Sequence, residues 1–220
     1  MTERLASNEV ASATATIGAF TASLARADLE RLVDGKAGVV LTPVRSRAVL
    51  NLRAPPGSAT VPDTVHENLG LRLPAAAFGT AANADGRVRA LWIGPGDWLI
   101  VCTEAARAQI EPVLRALLAG APGALTDVGH GYAVLNLAGP NAVDVLAQGC
   151  GLDLHPDVFG AGQCAMTGLA KLRVVIERRA RNAGYDVYVA RSFAASLWHF
   201  VTEASIEFGY RVNAHTLGER

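Results

Sequence analysis

A five-residue string occurs twice in this chain, and the duplication constrains the fold more than any other feature of the sequence. Ala-Val-Leu-Asn-Leu spans Ala48 to Leu52 and recurs from Ala133 to Leu137, a spacing of 85 residues. That spacing is well above the ~20 to 50 residues of solenoid repeats. The sequence therefore predicts two related globular units and not a repeat array.

Further matches follow the two copies in the same order, as ordered self-similarity in a true repeat requires. In both halves a hydroxyl residue, Thr103 or Ser192, precedes a helical pattern. The other matching segments are Gly70 to Leu73 with Phe78-Gly79 and Gly151 to Leu154 with Phe159-Gly160, Arg87 to Ile93 and Lys171 to Ile176, and Asp97 to Val101 and Asp186 to Ala190.

Strand and turn signals place the repeated string in strands, at 44–53 and 132–137, because its side chains alternate as those of half-buried strands do. Two pairs of β-prone runs around turns predict hairpins, at 87–102 and 172–190. A short apolar run, 124–128, predicts an edge or linking strand. A last strand is expected at 210–212.

Helix signals complete each half. A short helix is expected at 63–69, and Gly139-Pro140-Asn141 should start another. Thr103 should cap a helix that Pro112 kinks or restarts, because proline lacks an amide donor. After Ser192, apolar residues recur at three and four residues, which is typical of an amphipathic helix.

These elements predict the α+β class, with two related β-α-β-β-α units whose antiparallel sheets carry helices on one face. We assign residues 27–122 to the first unit and 123–220 to the second. Residues 1–26 are rich in Ala, Ser and Thr without a clear period, so a loosely ordered arm is expected there.

Composition excludes several classes of function. The chain has 20 basic and 20 acidic side chains, so it offers no net field for nucleic acid. Although half of the residues are hydrophobic, no apolar run reaches the ~18 residues of a membrane span. Cys102, Cys150 and Cys164 are odd in number and lack zinc-ligand spacing, which favours a reducing cytoplasm and no metal.

Asp127 and His130 are candidate ligand residues in the turn Asp127-Val128-Gly129-His130-Gly131. His130 is either an imidazole presented to a ligand or a capping or interface residue, and the second interpretation is favoured because no nearby nucleophile completes a catalytic set. Asp127 either orients a substrate amine or caps the turn through its own backbone. No catalytic residue is therefore assigned.

Aromatic and basic residues provide the remaining candidates. Trp92 and Trp98, together with Trp198, either form a cation-binding cage or serve a core or subunit contact, and the second interpretation is favoured. Arg178 and Arg179, at a hairpin tip, either face solvent or dock an acidic partner surface. No glycine-rich segment has the spacing of a nucleotide-binding loop, so no cofactor is expected on this chain.

Several blocks resemble the gamma subunit of heterotetrameric sarcosine oxidase over roughly 39–209. The blocks are 91–99, 127–131, 135–140, 149–154 and 185–192, the last of which makes Arg191 a further interface candidate. That family is similar in fold to folate-binding aminomethyltransferases. The resemblance implies a cytoplasmic enzyme that oxidises N-methylglycine to glycine, transfers a one-carbon unit to tetrahydrofolate and forms hydrogen peroxide.

The same resemblance implies partners and cofactors outside this chain. The alpha, beta and delta subunits would be the partners, and FAD, FMN, NAD, zinc and tetrahydrofolate would belong to them. This chain would then be a noncatalytic docking and structural subunit. The alternatives are a stand-alone folate-dependent aminomethyltransferase-like protein and the equivalent subunit of another N-methyl amino acid oxidase or dehydrogenase.

Overall fold

Strands and helices follow one another along the part of the chain described by the structure, a computed structural model covering residues 18–24, 28–44, 47–155, 157–179 and 184–213. The strands are β1 (Glu30–Arg31), β2 (Val39–Val44), β3 (Arg47–Arg53), β4 (Thr80–Ala82), β5 (Val88–Gly94), β6 (Asp97–Thr103), β7 (Ala124–Asp127), β8 (Tyr132–Ala138), β9 (Gln163–Leu169), β10 (Leu172–Arg178), β11 (Tyr185–Ala190) and β12 (Tyr210–Val212). The α-helices are α1 (Thr21–Leu24), α2 (Thr60–Leu69), α3 (Glu104–Leu118), α4 (Ala142–Ala147) and α5 (Ala194–Ala204). The α+β class with antiparallel pairing is confirmed.

The chain divides into two compact units. The central unit comprises Ser46–Tyr132 and Gly162–Met166, and the terminal unit comprises Met1–Arg45, Ala133–Ala161 and Thr167–Arg220. These units differ from the predicted segments 27–122 and 123–220. The reason is strand pairing: β2 pairs with β8 and β12, whereas β7 pairs with β3.

The central unit is built on a five-stranded sheet in the order β4-β5-β6-β3-β7. The repeated string lies in β3, where Leu50 and Leu52 are fully buried in a core that α2 and α3 also supply. The predicted hairpin is confirmed as β5 and β6, and 124–127 is an edge strand as expected.

Helix α3 begins as the sequence predicts and runs without interruption through its internal proline. The Thr103 side chain accepts a hydrogen bond from the Ala106 amide at 3.2 Å, which confirms the cap. Of the two outcomes expected at Pro112, a kink or a restart, the restart does not occur, because one helix continues from Glu104 to Leu118. Ile110 and Leu114 are buried on either side of the proline, and their packing holds both turns against the sheet.

The strands of the terminal unit belong to a seven-stranded sheet in the order β1-β12-β2-β8-β11-β10-β9, and this unit includes Thr167–Leu169 of β9. β12 runs parallel to β2, while β2 and β8 are antiparallel. The second copy of the repeated string lies in β8, and the β10–β11 hairpin and the final strand are confirmed. Helix α5 buries Leu197, Val201 and Ala204, which confirms the central part of its predicted apolar stripe. The predicted ends of the stripe are wrong, because Phe193 precedes the helix and is 49% exposed, and Phe208 lies beyond Ala204.

The two halves of the chain have the same order of elements, which supports the duplication. β3-α2-β4-β5-β6-α3-β7 corresponds to β8-α4-β9-β10-β11-α5-β12. The strand order also corresponds, except that β2 lies between β8 and β12. Strands β4 and β9 are absent from the predicted elements, since Thr80–Ala82 is very short and Gln163–Leu169 mixes polar, glycine and apolar residues.

The predicted N-terminal arm lies mostly outside the described residues. The described part, 18–24, is helical and buries Phe20 and Leu24. Phe20 contacts Trp198, with ring centroids 6.0 Å apart. The loosely ordered arm is therefore not observed over 18–24, because these two apolar side chains pack within the terminal unit. Among the described residues, no helix is long and apolar enough to cross a membrane.

Candidate functional site

Each half of the chain holds the end of its repeated strand with an asparagine–aspartate contact. In the central unit Asn51 donates to the Asp97 carboxylate at 2.6 Å, and Arg53 pairs with the same carboxylate at 3.3 Å. In the terminal unit Asn136 donates to Asp186 at 2.7 Å. These contacts were not predicted. The one polar residue of the repeated string, its asparagine, could have indicated a buried hydrogen bond at this position.

A cleft of about 640 Å³ lies at this strand end in the central unit, and we call it the tryptophan cleft. The β5–β6 register places Trp92 opposite Trp98, and both line the cleft. Trp98 is buried and its indole N–H donates to the Pro74 carbonyl at 2.8 Å, whereas Trp92 is half-buried. The two predicted tryptophans are thus brought together at one wall, where they present apolar surface.

Polar groups on the cleft wall were missed by the sequence reading. Asp63, His66 and Arg72 all line the cleft. His66 Nε2 lies 3.2 Å from the Arg72 guanidinium, which can only donate, so Nε2 is the acceptor in this contact. The wall therefore combines apolar and charged groups but contains no recognised catalytic set.

A smaller cavity of about 300 Å³ lies at the corresponding strand end of the terminal unit, and we call it the arginine cavity. Arg178 and Arg179 both line it. Arg179 pairs with Asp186 at 2.8 Å, and Arg178 lies over the Tyr185 ring at 5.8 Å. The structure thus brings the two predicted arginines into one cavity. Arg181 of the predicted basic tip lies outside the described residues.

Asp127 is engaged within the central unit. One carboxylate oxygen accepts from the Gly129 amide at 2.9 Å, and the other lies 2.7 Å from the Arg107 guanidinium. Arg107 also binds Glu111, and this hydrogen bond lowers the pKa of the Glu111 carboxyl, aided by Arg115. Asp127 therefore both caps the turn and extends an ion-pair network along α3.

His130 and Arg191 are both exposed in single turns of 3-10 helix, Gly129–Gly131 and Arg191–Phe193. His130 is three residues from Asp127, whose two oxygens already have the partners described above. Arg191 comes directly before Ser192 and the start of α5. Neither position shows the nucleophile, base and orienting group that an acyl- or amine-transfer site would need.

The three cysteines are unbridged. Burial raises the pKa of the Cys102 thiol to about 11, so this group stays protonated at neutral pH. The Cys164 thiol donates to the carbonyl oxygens of Gly79 and Trp92, each at 3.3 Å. Cys150 is half-buried with its sulfur 3.9 Å from the Thr167 hydroxyl. Within the described ranges, no cluster of three His, Cys, Asp or Glu side chains could hold a metal.

Comparison with known proteins identifies the family. The sequence pattern of the sarcosine oxidase gamma subunit family matches residues 54–207. The sarcosine oxidase gamma subunit of Corynebacterium sp. (strain U-96) is 33% identical over 180 residues, covering 80% of this chain and 83% of the relative.

Two solved structures are similar to this fold. The heterotetrameric sarcosine oxidase from Corynebacterium sp. U-96, in complex with pyrrole 2-carboxylate, has a TM-score of 0.72 and 32% identity, covering 79% of this chain and 87% of that one. The glycine cleavage system aminomethyltransferase T from Bartonella henselae has a TM-score of 0.57 at 14% identity, covering 80% and 48%, and shows the fold alone. Because the family pattern matches residues 54–207 and the relative is 33% identical over 80% of this chain, this chain belongs to the sarcosine oxidase gamma subunit family.

Proposed function

We propose that this chain is the noncatalytic docking and structural subunit of a flavin-dependent heterotetrameric sarcosine oxidase. The observation that carries the proposal is the reach of the similarity, which extends over 83% of a sarcosine oxidase gamma subunit. A match confined to one shared domain would support only a fold. A match over most of a subunit supports the same place in an assembly.

The reaction of the assembly is the oxidation of N-methylglycine to glycine in the cytoplasm, with transfer of the one-carbon unit to tetrahydrofolate and formation of hydrogen peroxide. The alpha, beta and delta subunits carry FAD, FMN, NAD, zinc and the folate site. The engagement of Asp127 by Arg107 and by the turn amide supports a structural role for that residue. An amine-binding carboxylate would need at least one oxygen directed at the ligand.

Exposed large hydrophobic side chains provide the docking contacts in this proposal. Val158 is 60% exposed and Phe193 is 49% exposed, both in the terminal unit, and Phe78 is 41% exposed in the central unit. Buried aromatic anchors commonly contribute much of the affinity of stable interfaces. We assign Phe193 as the main anchor of the terminal unit because it is aromatic and directly precedes the first residue of α5.

Co-expression with the other subunits tests the docking role. Phe193→Ser should reduce recovery of the tetramer about tenfold or more, as loss of an interface anchor does. Ser196→Ala, at another exposed position near the start of α5, is the matched control and should leave recovery unchanged. Equal recovery of both variants would contradict this assignment.

Purification of the full chain alone tests whether this chain lacks a bound flavin and oxidase activity. We expect a colourless protein without oxidase activity, and a coloured, active complex when the other subunits are present. A one-to-one flavin complex of the isolated chain would contradict the noncatalytic assignment.

The competing function is a stand-alone folate-dependent aminomethyltransferase. This alternative is tested because the fold is similar to that of aminomethyltransferase T. It requires saturable tetrahydrofolate binding by this chain, lost in Asp127→Ala. Calorimetric titration with tetrahydrofolate distinguishes the docking subunit from the transferase. We expect no binding heat for the wild-type chain or for Asp127→Ala. Saturable heat with the wild type that is lost in Asp127→Ala would favour the transferase.

A further inference from the structure

The β5–β6 hairpin provides a rigid wall of the tryptophan cleft. The Ala54 amide donates to the Gly96 carbonyl at 2.9 Å, which ties the hairpin turn to the end of β3. Gly96 has φ +68°, and a Cβ there would collide with the Ala54 carbonyl oxygen, so only glycine permits this approach. The indole N–H of Trp98 donates to the Pro74 carbonyl at 2.8 Å, which joins the hairpin to the segment after α2. Trp92 is therefore presented by a hairpin that cannot shift freely.

The segment after α2 holds Arg72 at the edge of the core. Gly70 has a left-handed φ of +60° and turns the chain out of the helix. Leu71 and Leu73 are buried, whereas Arg72 between them is exposed and lines the cleft. The two buried neighbours fix the backbone on either side of Arg72, so the core sets where its side chain begins.

His66 is a neighbour of both charged groups of the cleft. It follows Asp63 by three residues on α2, which places their Cβ atoms about 5 to 6 Å apart on one face of the helix. His66 Nε2 also accepts a hydrogen bond from the Arg72 guanidinium at 3.2 Å. Among the described residues, neither Asp63 nor Arg72 belongs to an ion pair. The cleft thus holds two opposite charges near each other that do not neutralise one another by direct contact.

The charges and walls of the cleft define a class of ligand. Asp63 and Arg72 are the charged side chains among its described lining residues, and their charges sum to zero. A ligand with a single charge would meet one attractive and one repulsive group, whereas a ligand with both charges satisfies both. Trp92 and Pro62 add apolar surface to the same cleft. Its volume of about 640 Å³ lies within the roughly 300 to 1,000 Å³ of small-molecule sites.

We propose that the tryptophan cleft binds a free α-amino acid with an apolar side chain. The ligand carboxylate accepts from the Arg72 guanidinium, its ammonium group donates to the Asp63 carboxylate, and its side chain lies against Trp92. The half-buried indole of Trp92 offers a flat apolar face on which an aromatic side chain can stack. This inference does not rest on the proposed function, because the cleft is formed by the central unit of this chain alone.

Titration of the full chain with L-phenylalanine, followed by NMR, tests the proposal. We expect saturable shifts of the indole N–H resonances of Trp92 and Trp98. Trp198 belongs to α5 in the terminal unit, so its indole resonance is an internal reference and should not move. The absence of saturable shifts at Trp92 and Trp98, or an equal shift at Trp198, would overturn the proposal.

Two analogues that each lack one charge test whether both charges are recognised. 3-Phenylpropionate has no ammonium group and phenethylamine has no carboxylate. Each should bind with a Kd about tenfold or more above that of phenylalanine, because a hydrogen bond between charged groups is lost. If either analogue binds as tightly as phenylalanine, the cleft does not recognise a zwitterion and the proposal is wrong.

Charge-removing variants assign the two contacts. Arg72→Gln and Asp63→Asn should each raise the Kd for phenylalanine about tenfold. Arg72→Gln should also abolish the preference for phenylalanine over phenethylamine, which general damage to the fold would not do. The matched control is Arg87→Gln, which removes an exposed arginine near Asp85 outside the cleft and should leave the Kd unchanged. A preference that persists in Arg72→Gln would contradict the assigned carboxylate contact.

A variant that fills the cleft tests its location without changing either charge. Ala75 is exposed and lines the cleft, so Ala75→Trp should abolish phenylalanine binding. Ala77 is also exposed but is not a lining residue, and Ala77→Trp should bind phenylalanine like the wild type. Unchanged binding in Ala75→Trp would place the ligand elsewhere and overturn the proposal, whatever the charge variants show.

Discussion

The two halves of this chain bury matching residues to very different extents. Phe78 and Phe159 occupy corresponding places in the duplicated sequence, each followed by glycine. Phe159 is 1% exposed, whereas Phe78 is 41% exposed and has a left-handed φ of +64°. A shared sequence pattern therefore specifies the position of a segment in the fold but not how deeply its side chains are buried.

The asparagine–aspartate contact shows the same contrast. Asn136 and Asp186 are buried, while the side chain of Asp97 is 23% exposed and its partner Arg53 is 66% exposed. The hydrogen-bond geometry is similar in both halves. Water screens the Asn51–Asp97 contact but not the buried Asn136–Asp186 contact. The two contacts should therefore contribute differently to the free energy of unfolding.

The largest contrast is expected between Asp186→Ala and Asp97→Ala. Removal of Asp186 leaves Arg179 and Asn136 without their carboxylate in a buried setting, which should cost about 3 to 5 kcal/mol. Removal of Asp97 should cost about 1 kcal/mol, because its groups reach water. Urea unfolding measures both, and equal losses would refute the difference in depth.

A contrast of nearly the same size is expected at the two phenylalanines. Phe159→Ala should lower the free energy of unfolding by about 3 to 5 kcal/mol through loss of buried surface and formation of a cavity. Phe78→Ala should cost under about 1 kcal/mol, since the ring is already partly in water. If thermal and urea unfolding give a large loss for Phe78→Ala as well, its ring is packed more tightly than its exposure indicates.

Cys102 should make stability fall at alkaline pH. Its pKa is raised from 9.0 to about 11 in the folded chain, so the unfolded chain loses this proton first. The contribution is fully present below pH 9 and is lost as the pH rises toward 11, by about 2 to 3 kcal/mol. Urea unfolding of the wild type and of Cys102→Ala across this interval isolates the effect, and parallel pH profiles would disprove it.

The smallest contrast concerns the hydroxyl residues before α3 and α5. Thr103→Ala removes a cap whose hydroxyl accepts from Ala106, at a cost of about 1 kcal/mol. Ser192→Ala should be nearly neutral, because α5 has no side-chain cap and Ser192 is exposed. Measured losses of similar size would indicate that Ser192 caps the helix in solution.

Local signals in the sequence predicted the elements that have strong patterns. Residues close in sequence encode the two hairpins, the Thr103 cap and the apolar stripe of α5. These features could therefore be predicted from the sequence. Strands β4 and β9 were missed, because their short or mixed composition lacks a strand pattern, and the restart considered at Pro112 does not occur because tertiary packing maintains the helix. The candidate residues that the structure brings together are pairs close in sequence, such as Arg178 and Arg179, or opposite each other in a hairpin, such as Trp92 and Trp98.

The sequence by itself determined the duplication, the family and the order of the strongly patterned elements in each half, because these depend on residue identity and local periodicity. Tertiary structure decided what no local pattern contains. It inserted Val39–Val44 between β8 and β12, buried Asp186 while leaving Asp97 near solvent, and paired Asp127 with Arg107. These outcomes join residues distant in sequence, and their energies depend on exclusion of water, which only the packed fold provides.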